Sequence, residues 1–497
     1  MSDLDRIPVI IGTGQVNDRG EDLSKALDAC DLMLEALAKA NADTGGKAFA
    51  RFDTLEMVRL FSAPMNGIVE RLAAAHPGLA GTPEFVVGHG NTPMLILNRA
   101  ALRIARGEAE ICAITGAEAY RTEKRLATAA AGEAGRPDMM KKNLKAVTAD
   151  TNLKYGAITP IEIYPFFENA MRAKWGQTLE EAQAESAKIW SDFSKVAAAN
   201  PSAWIQRAYS PEEILANGPA NRKLNFPYST LMVANNSVNQ GAAIILASYA
   251  KAKALGIPDD KIVFVGAGAA AVESHDFRQR ANFYSSPSLQ ATIRDVLARN
   301  GLEAGQCDHV ELYSCFPCVP KHARREANFR TDIPLTVSGG LTFAGGPIRN
   351  YMMHAAAAMV EKLHQSGRCG MLFGNGGYLT EAHAIVLSRT PLPAAPLTES
   401  FDVQEHADRL RGDVPSFVDA YLGPGRIETY TVTHSRDGEP LFGTIIGRGP
   451  KGERFICRAE ADDGDMMRFL MSGKVEPVGT SGDVVPGSDG FRVWRMH

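Results

Sequence analysis

Cysteine is sparse in this chain, basic charge has no surplus, and no apolar run is long. The seven cysteines are an odd number. They sit mostly inside apolar segments, at Cys112, Cys369 and Cys457 among others, as reduced buried thiols do and a disulfide framework does not. Lys and Arg total 53 against 57 Asp and Glu, a formal net charge of −4. Without spare cations to neutralise phosphates, nucleic-acid binding is not expected. No stretch reaches spanning length, so no membrane span is expected. Met1-Ser2-Asp3-Leu4-Asp5-Arg6 has neither a basic leader nor a signal-peptide core, which makes the cytoplasm the default. What remains is 45% hydrophobic and 22% charged over 497 residues. That is a soluble globular composition, and a length suited to roughly two to four domains.

One stretch organises the rest. The alternating run with Val310 and Leu312 stops at Tyr313-Ser314-Cys315-Phe316-Pro317-Cys318, so reactive residue types crowd the end of a buried strand. Ligands collect at such ends in α/β sheets. Around it the pattern predicts strands at Ile7–Ile11, Phe52–Leu60, Phe85–Val87 and Ile111–Thr115, with a helix over Leu23–Ala40 starting near Ser24 and another from Leu95 to Gly107. The order returns later, as a helix over Ser288–Asn300, the anchor strand, an Ala-rich helix over Ala355–Leu363 and a strand at Cys369–Phe373 ending in Gly374-Asn375-Gly376-Gly377. Asp53-x-x-Glu56 aligns with Asp308-x-x-Glu311 at an offset of 255, and the glycines Gly90 and Gly346 follow 34 and 35 positions after the glutamates. This implies a duplicated α/β fold.

The first half is assigned to residues 1–120 with 231–275, and the second to 276–390. Between them lies an insertion, 121–230, with charged helical segments such as Thr178–Ala198 and no evident strands. Residues 391–425 open with P-L-P-A-A-P and read as a linker. Residues 426–497 read as a small β-barrel: short runs at Ile427–Thr433, Leu441–Ile446, Glu453–Arg458 and Phe491–Trp494, separated by Gly turns.

Five pieces in this order resemble the thiolase superfamily. They are Ala105-Arg106-Gly107-Glu108-Ala109 before Thr115-Gly116-Ala117-Glu118, Val238-Asn239-Gln240-Gly241-Ala242-Ala243, Tyr313-Ser314-Cys315-Phe316, Ser338-Gly339-Gly340 with Gly345-Gly346-Pro347, and Gly374-Asn375-Gly376-Gly377. The likeness covers nearly the whole chain. It is nearest to type 1 thiolase-like proteins, akin to acetyl-CoA acetyltransferases and sterol-carrier-protein thiolases, with an extra C-terminal OB-like domain. The resemblance implies a five-layered αβαβα core, an inserted loop domain that grips coenzyme A, and CoA or acyl-CoA as ligand or substrate with no permanently bound cofactor or metal. It leaves monomer and homodimer both open.

The departures from the family pattern decide the chemistry. Thiolases use a cysteine at a helix N-terminus, where exposed N–H groups lower its pKa. The family spacing counted back from Gly107 puts Gly90 there, and glycine has no side chain to acylate. The family histidine falls on Gly346, the second cysteine near Phe373, and the residue heading the third motif on Tyr313. Replacement catalytic candidates are Tyr313, Tyr378, His89, His354 and Cys315, four of them with a plain alternative. Tyr313 and Cys315 also fit as packing at a strand end, His89 as a helix cap, and His354 as a core histidine. Ser237, Asn239, Gly241, Gly345 and Gly346 are the candidates for CoA contact, because small residues let backbone approach a ligand. Asn375 and Gly376 are candidates for oxyanion contact. Cys315-x-x-Cys318 lacks the second pair a metal site needs, and Val265-Gly266-Ala267-Gly268 mimics a dinucleotide turn without a following helix. The leading expectation is an acyltransferase-like protein that acts on acyl-CoA without the usual cysteine. The alternatives are a silent CoA- or lipid-binding protein and a carbon–carbon lyase of retro-aldol type.

Overall fold

A computed structural model describes residues 3–48, 52–79, 81–131, 149–393 and 395–497. The first half contributes β1 (Pro8–Asn17), β2 (Thr54–Val58), β3 (Glu84–Val86), β4 (Ile111–Glu118) and β5 (Gln240–Ser248), in the spatial order β3-β2-β4-β5-β1. β2 runs parallel to β3 and β4, whereas β5 is antiparallel to both β4 and β1. Every residue of β4 and β5 is buried. Burial on both faces explains why these strands read as continuous apolar runs without alternation.

The second half repeats the arrangement with β8 (His309–Leu312), β9 (Cys369–Gly376) and β10 (Glu381–Ser388), joined by β6 (Val263–Val265) and β7 (Ala269–Val272), which pair with β10 although they come from the stretch 231–275 assigned by sequence to the first half. β8 is parallel to β9, β10 is antiparallel to it, and β6 and β7 share the far edge of β10. β1 and β6 pair through Val9↔Phe264 and Ile10↔Val263, so the ten strands form one sheet, nine of them on a continuous path and β7 joined to it through β10.

The helices α1 (Ala29–Asp43) and α2 (Thr92–Ala105) belong to the first half. The insertion supplies α3 (Pro160–Lys174) and α4 (Leu179–Ala199), and no named strand lies between β4 and β5 among the described residues. The second half supplies α5 (Pro287–Arg299), α6 (Cys318–Ala327) and α7 (Tyr351–Gln365). α2 and α7 pack on each other and on strands of both halves. Both are buried over most of their length, the condition under which a helix is apolar on nearly all sides. α1 covers the first half's outer face and α5 the second's. This is the expected five-layered α/β thiolase fold. The first helix begins at Ala29 under a capping box made by Asp28, six residues after the start expected at Leu23.

The duplicated aspartates do the same work. Asp53 accepts from the N–H groups of Glu110 and Ile111 at 2.7 and 2.9 Å. Asp308 accepts from those of Arg368 and Cys369 at 2.7 and 3.2 Å. Each therefore ties its own strand to the first residue of the next. The glutamates three positions on are buried in both halves. Glu56 meets Arg103, and Glu311 is held by Thr336, Ser338 and Tyr351; burial pushes both carboxyls up.

Beyond β10, α8 (Gln404–Leu410) packs on α5 through Ala407 and Ala291, so the stretch with linker composition contains an ordered helix. The C-terminal strands β11 (Gly423–His434), β12 (Pro440–Arg448), β13 (Arg454–Glu460), β14 (Ser481–Pro486) and β15 (Arg492–Met496) close into a barrel in the order β11-β12-β13-β15-β14. A helix, α9 (Gly464–Met471), joins the third strand to the fourth and buries Met466, Met467 and Leu470 against the barrel. The barrel docks on the insertion, where Asn169 of α3 donates to the Tyr430 carbonyl at 2.9 Å and Thr429 to the Phe166 carbonyl at 2.5 Å. Fully buried Arg454 donates to the carbonyls of Arg278 and Arg280 at 2.5 and 2.6 Å and to the Glu428 carboxylate at 2.7 Å.

Candidate functional site

A cavity of about 820 Å³ opens where the loops after β8 and β9, the start of α2, the turn before α7 and the insertion meet. Its wall includes His89, Gly90, Tyr313, Cys315, Gly346, Asn375, Gly376 and Tyr378, so eight residues singled out in the sequence converge on it. They come together because the two halves present equivalent loops at one end of the joined sheet.

Gly90 is the tightest point. A Cβ at this position would lie 2.5 Å from the Asn375 carbonyl and 2.6 Å from Tyr313 Cζ, and it would overlap the Tyr313 hydroxyl. The phenol thus fills the space from which a side chain at residue 90 would project. Gly90 and Asn91 stand at the start of α2, and among the described residues their backbone N–H groups donate to no protein acceptor. Unpaired donors at a helix N-terminus favour negative charge nearby.

The inner wall is buried and its acids are weak. Burial pushes the Tyr313 phenol far above its ordinary range, and Tyr351 packs edge-on to its ring at 5.9 Å. Burial also raises the Cys315 thiol to about 12, which leaves no thiolate at neutral pH. Asn375 spends its amide on the Tyr164 hydroxyl at 2.8 Å. Tyr378 donates to the Ile158 carbonyl at 2.9 Å and is raised by burial to about 12.

The outer wall holds a histidine–carboxylate pair. His89 Nδ1 lies 2.8 Å from Glu381 Oε1, with His275 Nε2 at 3.9 Å from the same oxygen. Burial pushes the Glu381 carboxyl up, but the His89 bond and the nearby imidazoles outweigh it, and the group lies below its ordinary range. An ionised carboxylate only accepts, so Nδ1 of His89 is the donor in this bond.

Other expected residues lie elsewhere. His354 is buried on α7 with Nδ1 at 2.9 Å from Gln15; burial lowers it to about 3, and it is not part of the cavity wall. Asn239 binds Thr122 and the Asp18 carbonyl, Gly241 packs under the Leu32 backbone of α1, and Ser237 is exposed; none of the three lines the cavity. Gly345 stands beside the wall, at φ +104 and pressed against Gln240. Wall residues that the sequence left unmarked include Phe61, Tyr164, Asn236, His275 and Arg349, with Glu381 behind His89. No group of three metal-ligating side chains occurs among the described residues, and no described helix is long and apolar enough to cross a membrane.

Residues 402–490 match the family model described as the thiolase-like protein type 1 additional C-terminal domain. The whole structure is similar to that of a monomeric SCP2-thiolase like protein type 1 from Mycobacterium smegmatis, with a TM-score of 0.80 and 28% identity over 99% of this chain and 100% of that one. Human mitochondrial 3-ketoacyl-CoA thiolase in complex with CoA gives a TM-score of 0.60 at 13% identity, covering 78% of this chain and 99% of that one. The Ltp2-ChsH2(DUF35) aldolase gives 0.60 at 19%, with the same coverage. No curated protein sequence matches the chain. The five-layered core, the barrel and these likenesses together give the chain a thiolase-like fold, with a C-terminal domain at residues 402–490 that matches the additional domain of the type 1 thiolase-like proteins.

Proposed function

We propose that the chain binds an acyl-CoA thioester in this cavity and makes or breaks a carbon–carbon bond beside the thioester by acid–base chemistry, as a lyase of retro-aldol type, without an acyl-enzyme. The observation that carries this reading is the Tyr313 hydroxyl filling the side-chain space of Gly90. A thiolase nucleophile is thereby replaced by a proton donor. Acyl transfer without the usual cysteine, the leading expectation from sequence, gains no covalent route through Cys315, the thiol of the cavity wall, which burial holds protonated. The choice of ligand is supported by the human thiolase described in complex with CoA, and the choice of reaction by the aldolase of the same fold.

In the cleaving direction, the β-hydroxyl of the substrate gives its proton to His89 Nε2, held in orientation by Glu381. The Cβ–O bond becomes a carbonyl and the Cα–Cβ bond breaks. Its electron pair moves onto the thioester as an enolate, whose oxygen is suited to the unpaired N–H groups at the start of α2. Tyr313 or Tyr378 then protonates Cα. Phenols raised by burial are poor bases but remain fully protonated, which suits this role.

The test is incubation with β-hydroxyacyl-CoA substrates, with the shorter acyl-CoA and the carbonyl product followed by mass spectrometry. Tyr313→Phe is expected to lower kcat by roughly 10²–10⁴-fold with little change in Tm. A stable acyl adduct on Cys315, or turnover unchanged in both Tyr313→Phe and Tyr378→Phe, would sink the mechanism. Calorimetric binding of acyl-CoA without any turnover would leave a silent binder.

A further inference from the structure

Arg349 lines the cavity and is unlike the other arginines there. Arg278 is paired with Asp276 at 2.8 Å, and Arg222 is exposed. Half-buried Arg349 donates no hydrogen bond and has no carboxylate within ion-pair distance among the described residues. Its guanidinium lies 5.2 Å from the ring centroid of Phe61, which holds it as a flat shelf. Its backbone sits at φ +67, a conformation that glycine adopts freely and that strains an arginine. The nearest carboxylates act on it only through space. Glu381 is engaged by His89, and Glu118 accepts from Ser62 and Phe61 and is raised by burial to about 7, so it is only part-charged at neutrality. The wall therefore holds a planar cation with its partner missing, and one guanidinium balances one unit of negative charge.

We infer that Arg349 receives a carboxylate at the far end of the acyl chain, so that the preferred ligand is the CoA thioester of a dicarboxylic acid. The inference rests on the CoA reading above and adds the substrate class. Exposed Arg222, on the insertion side of the cavity, suits the phosphates of CoA, which leaves Arg349 for the acyl end.

The experiment compares suberyl-CoA, octanoyl-CoA and free CoA by calorimetry on the wild-type chain, Arg349→Gln and Arg349→Gly. Suberyl-CoA is expected to bind the wild type roughly 10–100-fold more tightly than octanoyl-CoA, as one charge-assisted bidentate pair provides, and both variants lose that difference. Arg349→Gly relieves the backbone strain, so its Tm is not lowered and misfolding is separated from lost binding. Equal affinity for the two thioesters in the wild type overturns the carboxylate site and leaves the CoA reading intact. A fall in free CoA affinity in the variants as large as the fall for suberyl-CoA assigns Arg349 to phosphate and also overturns it. If no thioester binds, the CoA reading fails. Free octanoate then decides the site alone: a thermal shift present in the wild type and absent in Arg349→Gln upholds it, and no shift in either overturns it.

Discussion

The phenol of Tyr313 and the missing side chain of Gly90 occupy one volume, with the Asn375 carbonyl closing it 2.5 Å from where a Cβ would stand. A side chain at residue 90 and the phenol at residue 313 therefore exclude one another. Gly90→Cys alone should fail to produce an acylatable thiol and should cost about 1–3 kcal/mol through overpacking. Combining it with Tyr313→Ala should recover part of that loss. A double-mutant cycle in chemical denaturation is expected to show a coupling of about 1–3 kcal/mol, and simple additivity would contradict the shared volume.

Glu118 makes stability depend on pH. Its folded pKa, raised first by burial to about 7, lies above that of an unfolded glutamate. The folded state therefore binds the proton more tightly. Its contribution is fully present below the unfolded pKa and is lost as pH rises from about 4.5 through 7. Glu118→Gln should flatten the stability profile in that window, by on the order of 2–3 kcal/mol between the two ends. Denaturant midpoints at pH 5 and pH 8 measure it, and parallel profiles for the two proteins would refute it.

Asp53 and Asp308 should be equivalent in energy as they are in geometry. Asp53→Ala and Asp308→Ala each strand two N–H groups at the beginning of the next strand, at a cost of about 1–3 kcal/mol. The Asp308 carboxyl is pushed up by burial but held below its ordinary range by those two bonds, so its contribution is present above the unfolded pKa and falls away in acid. Asp308→Ala should therefore be less sensitive to acid than the wild type below about pH 4. Urea titration across pH 3–6 checks both statements.

Arg454→Met should loosen the wall of the cavity from a distance. The substitution leaves Glu428 with Arg448 as its remaining cation and removes the donors to the 278 and 280 carbonyls. Loss of one partner of a buried pair costs about 3–5 kcal/mol. Hydrogen exchange over residues 276–281 should accelerate while exchange in α2 stays slow.

Periodicity made most of the core legible, since buried strands such as Ile111–Glu118 and the apolar helix Thr92–Ala105 are defined by local pattern. β10 was hidden because Glu381 and His383 interrupt its apolar run, and β14 because S-G-D-V-V-P holds only two apolar β-formers. The resemblance to the thiolases, through the family's motif spacing, singles out Gly90, Gly346 and Tyr313. It could not locate Glu381, whose partner His89 is 292 residues away, since long-range pairing leaves no local trace. Gly241 lies away from the cavity because a glycine that admits a helix backbone, here Leu32 of α1, looks in sequence like one that admits a ligand. Arg349 was invisible because its signal is a backbone angle and an unpaired charge.

The barrel reaches the core on the same polypeptide, yet it holds the 278–281 loop as a bound subunit would. Its docking is unimolecular, with an effective concentration set by the short connecting stretch and unaffected by how much protein is in solution. A separate barrel chain would release the loop on dilution and leave the cavity with a loose wall. Here the wall is as firm at nanomolar protein as at millimolar, so a low-abundance protein of this design keeps the shape of its site without finding a partner first.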